Sequence, residues 1–271
     1  MRRGTVFAVL TLSCLLSVGC GNSGVPSAPY STIKNGNWSL TGTSTVTSGL
    51  VLSIGGGLTQ SVDLVSGTMQ VSSSSSNCPG LLAAAVPFTG SFRGNAVTLK
   101  SASFGDQFVT VSAVGSGTSL TGTYSVVGGC ADGDKGTISA IYLPPLTATW
   151  NGPFMNPDGT LIPLDPNHPS KGPSTATLTL TQSDTATNGQ FPLSGSFEAH
   201  FWLDGCFPAG TIPGADTSAY VMGTSVVISS SGAGGEVRYK GQLEQTESGP
   251  VILGSISSNA GHCGTVLLKL M

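Results

Sequence analysis

One series of sequence landmarks occurs twice along this chain. Each series has a Trp, a Leu-Thr-Gln-Ser stretch, a Ser-Gly stretch, a Cys, an apolar stretch, a Gly, a second Cys and a Gly-Thr-apolar stretch. The first series comprises Trp38, 58–61, 66–69, Cys78, 97–99, Gly122, Cys130 and 136–138, and the second comprises Trp150, 180–183, 194–197, Cys206, 226–228, Gly254, Cys263 and 264–266. This order predicts two modules of the same fold, residues 35–145 and 146–271.

The apolar residues within each copy recur with a period of two. In 175–181, Ala176, Leu178 and Leu180 alternate with threonines, and a similar alternation occurs in 197–203. Such patterns predict antiparallel strands with one buried face, and the short Gly-, Ser- and Asn-containing connections predict a meander. About seven or eight strands in each copy indicate an all-β fold, either a β-sandwich or a small up-and-down barrel.

Trp38 and Trp150 occupy matching places in the two copies, which predicts that both belong to the cores. A Trp in the first strand and a closing Gly-Thr-apolar strand resemble the pattern of lipocalin-type barrels. The second copy also carries a Pro-rich insertion at 151–174, and a long loop of this kind on a rigid scaffold is either functional or disordered.

The N-terminus has the features of an export signal. Arg2 and Arg3 precede an apolar stretch, 6–16, that is too short to cross a membrane as a helix, and small residues follow it. This order of charge, apolar stretch and small residues predicts a signal peptide over 1–19.

Cys20 directly follows these small residues, an arrangement that resembles the lipobox of bacterial lipoproteins. The family usually has Leu three positions before the cysteine, where this chain has Ser17. The resemblance implies a fatty-acylated Cys20, a polar tether over 20–34 and a protein held at a membrane. Because no Asp follows Cys20, the family pattern implies the outer membrane. The alternative is an ordinary secretory signal that leaves Cys20 as a free thiol.

The cysteines of the body form an even set. Of six cysteines, Cys14 leaves with the signal peptide and Cys20 is the predicted lipid site. In an exported chain, the other four predict disulfides, and the repeat selects one bond within each copy, Cys78–Cys130 and Cys206–Cys263. Metal binding remains the alternative, although the chain has no Cys-x-x-Cys pair.

Charged residues are scarce in this sequence. They make up 8% of the chain, and loss of Arg2 and Arg3 with the signal peptide leaves 8 basic against 13 acidic residues. Nucleic-acid binding requires a basic surface that neutralises phosphates, so the composition excludes that class of partner.

The chain offers few residues for catalysis or metal binding. His168, His200 and His262 lie in three different segments, and no Gly-x-Ser-x-Gly motif occurs. Acidic residues at 132–134 and 156–159 could ligate Ca²⁺, but both stretches are typical of turns. We therefore predict no catalytic residue, no metal and no cofactor.

One small binding patch is predicted on the second copy. The period-two alternation places Glu198, His200 and Trp202 on the same face of a strand, where Trp202 could stack against a sugar ring. The alternative is a solvated strand face, or packing beneath the Pro-rich insertion.

The function predicted from these features is that of a non-enzymatic, membrane-anchored surface lipoprotein that serves binding, adhesion or envelope structure. Its partners would be the membrane, through the lipid, and a glycan or an envelope protein. One alternative is a carrier that holds a small apolar ligand inside a barrel, and a lower-ranked one is a hydrolase of envelope or extracellular polymer. The sequence does not indicate an oligomeric state.

Overall fold

The structure, a computed structural model, describes residues 32–74, 78, 83–203, 205–214, 218–260 and 264–271. These residues form two consecutive antiparallel β-barrels, each with eight strand positions. The predicted signal peptide, Cys20 and most of the predicted tether lie outside the described residues. Within the described ranges, no helix is both long and apolar enough to cross a membrane.

The first barrel closes between its first and last strands. Its strands are β1 (Gly36–Ser44), β2 (Val51–Ser61), β3 (Leu64–Ser73), β4 (Ala83–Arg93), β5 (Ala96–Ser101), β6 (Gln107–Ser116), β7 (Ser119–Gly128) and β8 (Lys135–Leu143). Each strand pairs with the next in the chain, and β8 pairs with β1, so that Ala140 lies beside Leu40. The all-β prediction is confirmed, and this closure makes the module an up-and-down barrel rather than a sandwich.

The second barrel has the same strand order with one strand position divided in two. Its strands are β9 (Ala148–Met155), β10 (Thr175–Gln182), β11 (Phe191–His200), β12 (Gly210–Ile212), β13 (Tyr220–Met222), β14 (Ser225–Gly232), β15 (Gly235–Thr246), β16 (Gly249–Ser258) and β17 (Val266–Leu270). The short strands β12 and β13 both pair with β11 and β14 and share the position between them. β10 pairs with both β9 and β11, and β17 pairs with β9, which closes this barrel too.

The repeated landmarks occupy corresponding strands of the two barrels. Trp38 lies in β1 and Trp150 in β9, and both are buried. In each case the indole N–H donates to the carbonyl four residues earlier, at 2.8 Å for Lys34 and 3.1 Å for Leu146. The prediction that both tryptophans belong to the cores is confirmed.

A close approach between strands explains one pair of repeated glycines. A Cβ atom on Gly122 in β7 would lie 2.1 Å from the carbonyl oxygen of Ser112, and one on Gly254 in β16 would lie 2.2 Å from that of Lys240. No side chain fits at these distances. The same close approach between neighbouring backbones therefore occurs at the same place in both barrels.

Large side chains occupy the barrel interiors. Strand β10 shows the predicted alternation, with Ala176, Leu178 and Leu180 buried. The largest fully buried side chains include Trp38, Phe88, Phe92, Tyr239 and Phe154. An eight-stranded barrel is just wide enough for side chains to fill it, and these aromatic residues do so.

The disulfide predicted for the first copy is present. Cys78 lies between β3 and β4, Cys130 lies in the short 3-10 turn Gly129–Ala131 after β7, and their Cα atoms are 5.4 Å apart. In the second copy Cys206 is buried and disulfide-bonded. Its predicted partner, Cys263, lies outside the described residues.

The region predicted as a Pro-rich insertion begins inside a strand. Its first five residues, 151–155, belong to β9, and the connection to β10 runs from 156 to 174. This loop contains a 3-10 turn, Pro169–Lys171, and the Asp165 carboxylate accepts hydrogen bonds from Lys171 at 2.8 Å and His168 at 3.0 Å. The Lys171 bond is the main cause that lowers the pKa of Asp165.

Two buried tyrosines tie strands together through their hydroxyl groups. The hydroxyl of Tyr239 shares its one proton between the carbonyls of Ile252 (3.0 Å) and Leu268 (3.2 Å), and that of Tyr124 donates to the Asp134 carboxylate at 2.8 Å. Burial raises the pKa of both phenols above the ordinary value of 10, and the Asp134 carboxylate raises that of Tyr124 further.

The two tyrosines predict a loss of stability in alkali. Above about pH 10 the unfolded chain releases phenol protons that the native barrels retain, so the free energy of unfolding falls as the pH rises. Chemical denaturation from pH 7 to 11 measures this fall. We expect Tyr239→Phe to be about 1 kcal/mol less stable at pH 7, because it loses the hydroxyl bonds, and to have a shallower alkaline slope. Tyr220→Phe, at a partly exposed tyrosine, is the matched control, and an unchanged slope in Tyr239→Phe would contradict the prediction.

Candidate functional site

Two turns of the second barrel pack against strands β1 to β3 of the first. One turn contains Gly223, between β13 and β14, and its backbone makes two hydrogen bonds with the side chain of Asn37. The Gly223 N–H donates to Asn37 Oδ1 at 2.7 Å, and Asn37 Nδ2 donates to the Gly223 carbonyl at 2.9 Å. Asn37 is 2% exposed because the turn of the second barrel covers its side chain.

Glycines make this contact possible. Gly55 in β2 and Gly223 face each other, and a Cβ atom on Gly223 would lie 2.6 Å from the Gly55 Cα atom. Gly223 also has a φ of +57°, a left-handed backbone conformation that residues with a Cβ atom disfavour. The backbones of the two barrels therefore approach each other more closely than any larger residue would permit.

The second contact is the turn between β10 and β11. Asn188 and Gly189 have φ values of +51° and +79°, the combination typical of a type I′ hairpin turn. A Cβ atom on Gly189 would lie 2.2 Å from the carbonyl oxygen of Thr68 in β3, so this turn also packs directly on the first barrel. Next to it, Phe191 and Ala186 lie against Gly57 of β2.

A cleft of about 540 Å³ lies beside these contacts, between the barrels. Its volume is within the range of small-molecule binding sites. Both barrels contribute to its lining, which includes Asn35, Thr59, Tyr142, Gln182, Asp184 and Asn188. The lining combines amides, hydroxyls and glycine backbone with apolar side chains, and Asp184 is the one charged residue among the described lining residues; the apolar members are Leu58, Pro145, Ala186 and Phe191.

Several polar groups of the cleft make no side-chain hydrogen bond to the part of the chain that the structure describes. Within the described part of the chain, no side-chain hydrogen bond involves the Tyr142 hydroxyl, the Asp184 carboxylate or the Asn188 carboxamide. The ring of Tyr142 is nevertheless held in place, because the Lys34 ammonium lies 4.4 Å above its centroid and Trp38 packs edge-on at 6.1 Å. These groups are available to a ligand that offers both hydrogen-bond donors and acceptors.

The structure places the three residues of the predicted patch on two different segments. Glu198 and His200 lie on the exposed face of β11, but that strand ends at His200. Trp202 lies beyond it in a bend, 43% exposed, with its ring 6.3 Å from Phe201. The period-two alternation therefore does not extend to Trp202, because Phe201 packs at 4.9 Å against Phe207 and the chain turns there.

The acidic side chains of the two predicted turns, 132–134 and 156–159, form hydrogen bonds with nearby protein groups. Asp132 accepts from the Gly128 N–H, and Asp134 accepts from Ser44 and Tyr124. Asp158 accepts two bonds from Thr160, which lower its pKa. In the described ranges, no group of three or more His, Cys, Asp or Glu side chains is arranged to hold a metal ion.

The histidines remain in separate elements. His168 lies in the loop after β9, where it bonds to Asp165, and His200 lies at the end of β11. His262 lies outside the described residues.

Sequence reasoning missed the cleft, although two signals for it were visible. The Gly55-Gly56-Gly57 run in a strand is unusual and typical of a close backbone approach. The Asn188-Gly189 pair is a strong hairpin signal. Neither signal identifies the surface that it contacts, so the pairing of β2 with the two turns of the second barrel could not be predicted.

Comparison with known proteins yields little for this chain. No protein-family model and no curated protein matches it. A solved structure of a Nitrosomonas europaea protein named "putative AttH" is similar at 10% identity, over 88% of this chain and 92% of that chain, with a TM-score of 0.24. A similarity this low carries no information about function.

Proposed function

We propose that this chain is an exported, lipid-anchored envelope protein that binds its ligand, without catalysis, in the cleft between the two barrels. The observation that carries the proposal is the cleft itself, a recess of about 540 Å³ in which three polar side chains, Tyr142, Asp184 and Asn188, make no hydrogen bond with the described residues. Buried Asn37 and the glycine contacts join the two barrels beside it. A preformed site of this size with a few placed polar groups is typical of ligand binding.

The packing of the barrels favours the cleft over the carrier alternative. A carrier requires an apolar interior cavity of at least about 300 Å³. In the first barrel, Trp38, Phe88 and Phe92 are each at most 2% exposed and occupy the interior instead. A ligand inside that barrel would have to displace side chains that form its core.

The lining of the cleft favours binding over hydrolysis. Glycoside hydrolysis uses a pair of carboxyl groups, and general acid–base catalysis requires titratable groups near the reacting atoms. Among the described lining residues, Asp184 is the one carboxylate, and none is a histidine. The lowest-ranked hypothesis, a hydrolase, has the least support from this geometry.

The anchor part of the proposal predicts how the protein is released from membranes. We expect Cys20→Ser to prevent fatty acylation, because the acylated thiol is absent, and to change release from membranes from detergent-dependent to dilution-dependent, because only the cleft then holds the protein to the envelope. Metabolic labelling with an alkyne fatty acid, followed by fractionation after dilution or after detergent treatment, measures both effects. A Cys20→Ser protein that still labels and leaves membranes only in detergent would contradict the anchor.

The cleft part is tested by filling the cleft. Thr59 is exposed on β2 and lines the cleft, so Thr59→Trp is expected to reduce binding at least tenfold by steric exclusion. Thr121→Trp, at an exposed threonine on β7 outside the cleft, is the matched control. The assay is co-sedimentation with isolated cell envelopes, with Cys20→Ser in every protein so that the lipid cannot drive sedimentation.

A second variant tests whether a loss of binding comes from misfolding rather than from the filled cleft. Thr185→Trp approaches the cleft from the second barrel at an exposed turn position. If both cleft variants keep the unfolding midpoint of the parent protein and still bind envelopes as tightly as Thr121→Trp does, the cleft is not the binding site.

A further inference from the structure

A second recess lies next to the cleft on the second barrel. Its volume is about 550 Å³, and its lining includes Ser183, Gln190, Pro192, Pro213 and Tyr220. Asn188 lines both this groove and the inter-barrel cleft. The two recesses therefore meet at the turn between β10 and β11.

The backbone of the turn at this meeting point packs on the first barrel. Asn188 is exposed, and the next residue, Gly189, packs on the Thr68 carbonyl of the first barrel. The Asn188 carboxamide forms no side-chain hydrogen bond within the described residues. The Asn188 carboxamide therefore offers one donor and one acceptor group where the two recesses adjoin.

The combined lining disfavours an anionic or a purely apolar ligand, and it offers a cationic ligand one described carboxylate only. The described lining of the groove contains no charged residue, and that of the cleft contains only Asp184. An anionic ligand would lose hydration and be repelled by Asp184, and the Lys34 ammonium is not part of the lining but lies against the Tyr142 ring, 4.4 Å from its centroid. An apolar ligand would gain contacts with side chains such as Phe191 and Pro192, but it would also cover the Asn188 carboxamide and the Tyr142 hydroxyl without replacing their hydrogen bonds to water, which costs free energy.

A ligand rich in hydroxyl groups avoids both costs. Hydroxyl groups donate and accept, so they can pair with the Asn188 and Gln190 carboxamides and with the Tyr142 hydroxyl. The rings of Pro192, Pro213 and Tyr220 offer apolar surface to the C–H faces of a sugar. We propose that the ligand is a neutral glycan chain that lies in the cleft, crosses Asn188 and continues into the groove.

This inference rests on the proposed function and adds the ligand class and the second subsite. Its first test is calorimetric titration of the mature Cys20→Ser protein with neutral cello-, xylo-, malto- and chito-oligosaccharides of two to eight units. We expect at least one series to bind, with an affinity that rises with chain length until both recesses are filled. Polyuronate oligosaccharides and a long-chain fatty acid are the charged and apolar comparison ligands.

Two variants separate the subsites. Asn188→Gly keeps the left-handed backbone while it removes the carboxamide, and it is expected to weaken binding of all chain lengths about tenfold. Tyr220→Ala is expected to weaken binding of long chains about tenfold and to leave disaccharide binding unchanged, because Tyr220 lines only the groove. Trp202→Ala is the control for the predicted patch and is expected to change neither affinity.

The outcomes distinguish the ligand class from the function. Affinity that is independent of chain length, or stronger binding of the polyuronate or the fatty acid, would overturn the glycan proposal. If Thr59→Trp abolishes envelope binding but no neutral oligosaccharide competes with the parent protein for envelopes, the glycan proposal is wrong and the cleft keeps its proposed function. If the parent protein does not bind envelopes at all, the proposed function is wrong, and the titrations alone decide on glycan binding.

Discussion

Gly223→Val is expected to separate the two barrels and to abolish binding in the cleft. A Cβ atom at this position would lie 2.6 Å from the Gly55 Cα atom, which is backbone and cannot move aside. The two hydrogen bonds between Asn37 and Gly223 would be lost when the contact opens. We expect the unfolding free energy to fall by about 3 kcal/mol. One cause is overpacking at the contact, and the other is the buried Asn37 amide, which is left without partners.

The control is Gly94→Val, which places a valine at a similar positive φ but away from the other barrel. Gly94, in the turn between β4 and β5, has a φ of +64° and open space around its Cβ position, against +57° for Gly223. Valine at either position is strained, but only at Gly223 does it meet the other barrel. Small-angle scattering should show a larger maximum dimension for Gly223→Val and parental dimensions for Gly94→Val. Parental scattering and envelope binding in Gly223→Val would show that the glycine contact does not hold the cleft together.

Removal of the Cys78–Cys130 disulfide is expected to cost about 4 kcal/mol of unfolding free energy. The two cysteines are 52 residues apart, and in the chain-entropy model a bond that closes a loop of this length restricts the unfolded chain by about that amount. The bond also joins the connection between β3 and β4 to the 3-10 turn after β7. Its loss therefore affects a closed barrel that has no other covalent link among its described residues.

The measurement is denaturation of the Cys78→Ala/Cys130→Ala double variant at neutral pH. Mutation is preferable to a reducing agent, because a reductant would also act on the disulfide of Cys206. Cys20→Ser, which changes a cysteine outside the barrels, is the control and should leave the unfolding free energy unchanged. A loss below about 1 kcal/mol in the double variant would mean that the reduced chain is already restrained by residual structure.

Much of the fold could be predicted because its causes are local. The alternation in 175–181 reports the two faces of β10 directly, since side-chain direction in a strand depends only on position. The repeated landmarks indicated two copies, and Trp38 and Trp150 make the same backbone hydrogen bond in each. The repeat also selected the Cys78–Cys130 pairing out of three alternatives, and the structure confirms that pairing.

The predicted patch shows where local reasoning stops. Alternation predicts a strand through Phe201 to Trp202, but β11 ends at His200, and Phe201 packs edge-on against both Phe154 and Phe207. Those partners come from β9 and from the segment after β11, and no pattern within 197–203 reports them. The role of Glu198, His200 and Trp202 in binding stays a prediction, and Trp202→Ala in the titrations addresses it.

The sequence by itself determined the number of modules, the faces of the strands, the buried tryptophans and the first disulfide, because each of these depends on short-range periodicity or on the repeat. Only the tertiary structure decided between sandwich and barrel, since the same alternation fits both and the difference lies in the pairing of residues as distant as Leu40 and Ala140. The cleft was likewise decided by tertiary structure, because Asn37 and Gly223 are 186 residues apart and meet only when both barrels are closed. Contacts of that kind are set by the shapes of two folded surfaces, which no local pattern in either segment encodes.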